Sequence, residues 1–212
     1  MTGIEIQTMN TLFLGGQSID SVLFFQLLNM KKNLLEAKRD WMILRDFDST
    51  LTFTAADDYT GSKSLPARFL RVYTPYDARQ EEQTGVYIVD SAGNRNPLKP
   101  IPFARRFEYK DTNGYFYIDV KNSKIGRTGT LAGTLHLFFL KGTADIEAGT
   151  TWEFPTFSHP LLAYEVAIEQ KGGIDWDRVN ANQVPYNKNT SNEIMSGLNM
   201  WDSRLQQTEL GV

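Results

Sequence analysis

The sequence predicts an α+β protein in which a long N-terminal helix packs with two C-terminal helices and carries an inserted antiparallel β-module. Three observations predict it. Apolar residues between Ile19 and Leu44 recur at steps of four and three, the period of one helix face. From Thr50 to Lys141 short aromatic and β-branched runs alternate with turn residues, which is strand chemistry. After Trp152 the helical spacing returns. The 212 residues read as a single domain over 1–212, helical over 1–48, β-rich over 49–150 and helical again over 151–212. That length suits one buried core.

The N-terminal helix is expected over 19–45, on Ile19, Leu23, Leu27, Met30, Leu34, Ala37, Trp41 and Leu44. Phe24, Leu28, Leu35 and Met42 widen its stripe, Ser18 is the expected N-cap, and the pattern stops at Asp46 to Ser49. Unbroken, it is a rod about 40 Å long. The expected strands are LTFTA at 51–55, FLRVY at 69–73, GVYIVD at 85–90, RRFEYK at 105–110, YFYIDV at 115–120 and GTLHLFFLK at 133–141. SAGNRNP at 91–97 and DTNG at 111–114 carry hairpin signals, and prolines 97, 100 and 102 confine LKPIPF to an edge or a loop. The sum is a sheet or small sandwich of about five to seven strands.

SLPARFLRVY at 64–73 fits helix and strand equally. Because Pro66 fixes its own φ and pushes Leu65 to extended geometry, a helical turn at 66–69 running into a strand is expected, a corner held by Leu65, Pro66 and Phe69. Phe154-Pro155 to Lys171 places Phe157, Leu161, Tyr164 and Ile168 in helical phase, with Gly172-Gly173 as the stop. A polar connection leads to a last helix on Ile194, Leu198, Trp201 and Leu205, opened by a Thr190 and Glu193 capping box.

Composition narrows the function classes. Hydrophobic content of 41% and charged content of 22% exclude general disorder. With no cysteine there is no disulfide, thiol nucleophile or thiolate zinc site. The N-terminus lacks a basic n-region and Gln26 interrupts the longest apolar cluster, so a soluble chain without membrane contact or export signal is expected. A net charge of −3 argues against tight binding to nucleic-acid phosphates.

Catalytic motifs are absent, and no enzyme activity, cofactor or metal is expected. His136 and His159 lie far apart without metal-ligand spacing. The pairs Asp46 and Asp48, Asp57 and Asp58, and Asp175 and Asp177 read as caps and turns rather than cation ligands. Gly126-Arg127-Thr128-Gly129 reads as a polar hairpin loop, and the basic residues of the β-module are interleaved with acids as on a solvated or partner-facing surface.

In order, LLNMKKNLLEAKRDWMIL at 27–44, STLTFTAAD at 49–57, SLPARFLRVY at 64–73, WEFPTFSHPLLAYEVA at 152–167 and SGLNMWDSRLQQ at 196–207 resemble the head-to-tail connector (adaptor) proteins of tailed bacteriophages, ring proteins that dock below the portal. SLPARF looks like the Leu-Pro-x-x-Phe corner of that family, whereas SAGNRNPLKPIPFARR is longer and more basic than its counterpart. The resemblance implies a virion protein at the head-tail junction, assembled in the host cytoplasm, forming a homo-oligomeric ring that is twelvefold by analogy. Its implied partners are the portal protein, tail or nozzle proteins and further copies of itself, with DNA passing through without sequence-specific binding. Trp201, Leu205 and Leu210 are then the candidate portal interface. Other readings are a tail terminator, a carbohydrate-binding β-module using Tyr115, Phe116 and Tyr117, and a hydrolase with a carboxylate pair.

Overall fold

Thr2 and Glu5 open the first helix with a reciprocal capping box: Glu5 N donates to Thr2 Oγ1 (3.4 Å) and Thr2 N to Glu5 Oε2 (2.8 Å). This helix, α1 (Gly3–Phe13), buries Ile6, Asn10 and Phe13 and ends at Gly15 and Gly16, both at positive φ. The computed structural model describes residues 1–74, 85–170 and 188–210, without the side chains of 188–190 and 206–210. It divides the chain into a helical unit, Met1–Ile43 with Gly142–Val212, and a β unit, Leu44–Lys141.

The α+β class stands, with helices at both ends and a β-rich middle, but there is no long N-terminal helix packed with two C-terminal ones. The predicted rod is α2 (Ser21–Ala37), preceded by the separate α1. Asp20, not Ser18, is its N-cap, accepting from the amides of Val22 (2.9 Å) and Leu23 (3.1 Å). At the other end Lys38 N and the Trp41 indole N–H both donate to Leu35 O, at 3.1 and 3.0 Å. Trp41 has therefore turned back onto the last helical turn, and the helix stops eight residues short of Arg45.

The buried face of α2 also differs from the expected one. Phe24, Leu28 and Leu35 are its apolar core residues, while Leu23, Met30 and Leu34 of the predicted stripe are exposed. A 3-10 turn, Thr156–Ser158, leads into α3 (His159–Gln170), against which α1 and α2 both pack. The last helix, α4 (Lys188–Leu210), also meets α3, and it already contains Thr190, so it begins upstream of the expected capping box. The Thr190 side chain and the Gly172-Gly173 stop lie outside the described residues.

In the β unit, β1 (Arg45–Phe53), β3 (Phe69–Val72), β4 (Val86–Val89), β5 (Arg95–Pro97) and β9 (Gly133–Lys141) form one sheet in the order β1-β9-β4-β5, with β3 also on β9. A second sheet, in the order β2-β8-β7-β6, contains β2 (Ser62–Ser64), β6 (Lys99–Pro100), β7 (Tyr115–Asp119) and β8 (Lys124–Arg127). Its β6–β7 pair is parallel, the exception to the antiparallel expectation. Phe53, Val86, Ile88, Leu135, Leu137 and Phe139 of the first sheet share one core with Phe116 and Ile125 of the second.

RRFEYK is not a strand. Residues Phe103–Tyr109 are a 3-10 helix opened by Pro102, whose carbonyl accepts from Arg105 N (2.9 Å). Side chains three apart eclipse in that geometry, and Arg106 accordingly lies 3.9 Å over the Phe103 ring while Arg105 pairs with Glu108 at 2.6 Å. DTNG thus joins a helix to β7 rather than two strands. The SAGNRNP hairpin does form, between β4 and β5, with Asp90 accepting from the amides of Ala92 and Asn94.

Candidate functional site

The corner residues Leu65, Pro66 and Phe69 lie together, half-buried, inside the β unit. Phe69 N donates to Pro66 O (3.3 Å) and Arg68 sits at φ 60°, so the chain makes a tight turn rather than the expected helical one. The turn carries the chain from β2 in one sheet to β3 in the other, with Leu65 N donating to Ser123 O (2.9 Å) and Phe69 stacked on Phe139 (5.7 Å). It is a corner between two sheets of one unit. Arg68 and Ser123, the non-glycine residues at positive φ among those described, both line a groove of about 410 Å³ beside it, with Leu70, Ile118 and Val120 as its apolar wall.

Alternation along β9 puts Leu135, Leu137 and Phe139 in the core and His136 and Phe138 on the opposite face. There Phe47 meets Phe138 (4.8 Å) and His136 (5.4 Å), Tyr87 stacks on His136 (4.8 Å), and Tyr73 meets Phe138 edge-on (6.0 Å). Arg45 and Arg95 lie over the rings of Tyr73 and Tyr87, at 5.2 and 5.6 Å. Burial, with the Arg95 charge added, pushes the His136 pKa down. Aromatic and arginine side chains of this kind dominate protein interfaces. The alternation in GTLHLFFLK was the available signal for this platform, but the platform forms only once Phe47, Tyr73 and Tyr87 arrive from three other strands and loops.

Gly126-Arg127-Thr128-Gly129 is not a polar loop. Arg127 and Thr128 are buried, and the Arg127 guanidinium donates to the carbonyls of Gly129, Thr54 and Asp57 while lying 5.3 Å over Phe53. It stitches the 54–61 loop to the sheet, and burial lowers its pKa. Gly126 is required because a Cβ there would enter the ring of Tyr117, its register partner. Tyr117 and Phe116 are themselves buried, so of the three aromatics proposed for sugar stacking only Tyr115 is partly open to solvent.

Asp57 accepts from Thr54 N (2.6 Å) and Asp58 from the Thr60 hydroxyl (2.5 Å) and Thr60 N (2.8 Å), the capping roles expected, and these bonds hold both carboxyls below their usual range. Asp48 caps Thr50 (2.6 Å) and Asp46 pairs with Lys141 (3.0 Å); Asp175 and Asp177 lie outside the described residues. Among the described residues no three His, Cys, Asp or Glu gather into a metal-sized cluster, and no helix is long and apolar enough to cross a membrane.

In the helical unit α2 holds the returning segment 143–146 through one polar row. Asn29 bonds both N and O of Ile146, Lys32 Nζ donates to the carbonyls of Thr143 and Ala144 at 3.0 Å, and Glu36 accepts from Thr143 N (3.1 Å), from Thr143 Oγ1 and from Trp152 Nε1 (3.0 Å). Trp152 stacks on Phe154 (4.3 Å), Phe154 meets Trp41 (5.6 Å), and His159 donates through Nε2–H to Phe154 O (2.8 Å). The His159 Nδ1 accepts from the Met1 ammonium (3.0 Å), so the buried ring is neutral, its pKa pushed down by burial.

Of the candidate portal residues, Trp201 and Leu205 are half-buried on α4 and the Leu210 side chain lies outside the described residues. Asp202, buried beside them, anchors α4 to the end of α2 through Met42 N (2.6 Å) and Arg39 (2.8 Å). No family model matches the chain, and no curated protein matches it significantly.

Proposed function

We propose that the chain is a virion structural protein of a tailed bacteriophage, the subunit of a head-to-tail adaptor ring that joins portal to tail and lets DNA pass. The observation that carries this reading is where the segments resembling that family meet. RDW at 39–41 and WEF at 152–154, more than a hundred residues apart, put Trp41, Trp152 and Phe154 into one aromatic cluster that ends α2 and opens α3. The third such segment, SLPARF, makes the sheet-to-sheet corner. The proposed division of labour gives neighbouring subunits and tail components the aromatic and arginine surface of the β unit. It gives the portal the α4 end, around Trp201, Leu205 and Leu210. A mildly acidic chain suits a conduit that must release its cargo.

Native mass spectrometry of the chain alone and mixed with the portal ring of its own genome tests the proposal. A stoichiometric ring complex is expected. A chain that ignores the portal at micromolar concentration overturns the reading, and binding in a sugar array would replace it with a carbohydrate-binding one.

A further inference from the structure

The longest helix is held by little apolar surface. Among the described side chains of the 23-residue α4, Leu198 is the apolar one that is fully buried, whereas the 12-residue α3 buries Leu161, Leu162, Tyr164 and Val166. Ile194, Trp201 and Leu205 are half-buried, and Met200 is 58% exposed. The second anchor of α4 is polar. Asp202 accepts from Met42 N and pairs with Arg39, and Arg39 also donates to Asn199 Oδ1 (2.8 Å) while lying 4.9 Å over the Trp41 ring. All of these bonds join α4 to residues 39–42, just beyond the end of α2. A helix in a protein draws most of its stability from a packed apolar face, and α4 has instead a narrow contact and one polar fastening.

The helix is also weaker internally than its surroundings require. Gly197 stands in mid-helix, where glycine is the poorest helix former after proline. A Cβ at Gly197 would meet Phe157 Cε2 at 3.5 Å, an ordinary contact, so packing does not account for the glycine. Two turns on, Ser203 Oγ donates to Asn199 O (2.8 Å), a bond that loosens a helix slightly.

We propose that α4 is a detachable helix, latched to the helical unit at Asp202, that opens by itself while α1, α2 and α3 stay folded. Opening strands no buried charge, because Asp202 leaves with α4 into water and Arg39 is already one-third exposed. Residues 171–187 join α3 to α4, a length of chain that lets α4 come away without unwinding α3. The use of the latch rests on the adaptor reading: α4 carries Trp201, Leu205 and Leu210, and the latch sets how readily they are offered to the portal. The latch itself belongs to the free chain.

Hydrogen exchange of the full chain, read by mass spectrometry in peptides from each helix, tests the latch without the portal. Peptides within 191–205 are expected to exchange at least about tenfold faster than those of α3. Gly197→Ala is expected to slow the exchange of α4 about fivefold, the effect of the better helix former, with α1 and α3 unchanged. Asp202→Asn keeps an acceptor for Met42 N but removes the ion pair with Arg39, and is expected to speed α4 about fivefold or more, again without moving α1 and α3. If α4 exchanges at the rate of α3, or if either substitution shifts all four helices together, α4 opens only in global unfolding and the proposal is overturned. Gly197→Ala strengthens the helix, so it decides the matter even if Asp202→Asn does not fold. Failure here leaves the adaptor reading standing, and a chain that ignores the portal leaves the latch standing.

Discussion

Among the described residues, the β unit surrounds one apolar cluster with two sheets and admits a single buried charge, Arg127, whereas the helical unit places Lys32, Glu36, Asp202, Asn10 and His159 in its interior. The β unit is continuous in sequence, and alternation along each strand decides which side chains face inward. The helical unit is assembled from the two ends of the chain, and apolar helix faces can slide past one another at little cost. Its polar partners remove that freedom: Asn10 reaches Ala163 O, Asn29 pairs with Ile146, and Asp202 holds the backbone at Met42. Direction-dependent bonds set the register where chain continuity does not.

The largest test of that contrast is Glu36→Ala, which leaves the buried Thr143 N, Thr143 Oγ1 and Trp152 Nε1 without their acceptor. A loss of about 3–5 kcal/mol in urea unfolding is expected. Leu137→Ala, at the centre of the β unit, is expected to cost about 2–4 kcal/mol through lost burial and a residual cavity. Should Glu36→Ala cost less than Leu137→Ala, the polar interior is not what fixes the helical unit. The smallest effect concerns pH. His159 and His136 have folded pKa values below the ordinary imidazole value, so unfolding takes up protons as the pH falls from about 6.5. Their contribution is complete above that pH and is lost progressively below it, before the carboxylates titrate. Melting temperatures recorded between pH 7.5 and about 5 should fall, and His159→Gln should flatten most of the slope because His159 is the more buried ring.

Much of the β unit was legible in the sequence because GVYIVD, YFYIDV and GTLHLFFLK combine alternation with bounding turn residues. RRFEYK shares that composition, but Pro102 and the i,i+3 pairing of its charges favour a 3-10 helix, which a strand template does not weigh. In α2 two apolar stripes coexist on one helix. Leu23, Met30 and Leu34 are as regular as Phe24, Leu28 and Leu35, and only the partner decides which is buried. The helix α1 was missed although Thr2 and Glu5 announce it, since Asn10 stands on its buried face where an apolar residue would have completed the pattern. Arg127 was unreadable for a similar reason: its three carbonyl partners come from turns that no local window joins.

The position of β9 has a consequence for synthesis. It is the common neighbour of β1, β3 and β4, yet it is the last strand of the unit to leave the ribosome. Between Phe53 and its register partner Gly133 lie roughly 80 residues, about 4–16 s of translation. Throughout that interval β1 has an open edge and the aromatic residues Phe47 and Phe53 are without their sheet, so the nascent chain is most exposed to intermolecular strand pairing just before Lys141 emerges. A slowly translated stretch after β9 would do nothing for this chain; a slow stretch before it would prolong its most aggregation-prone state.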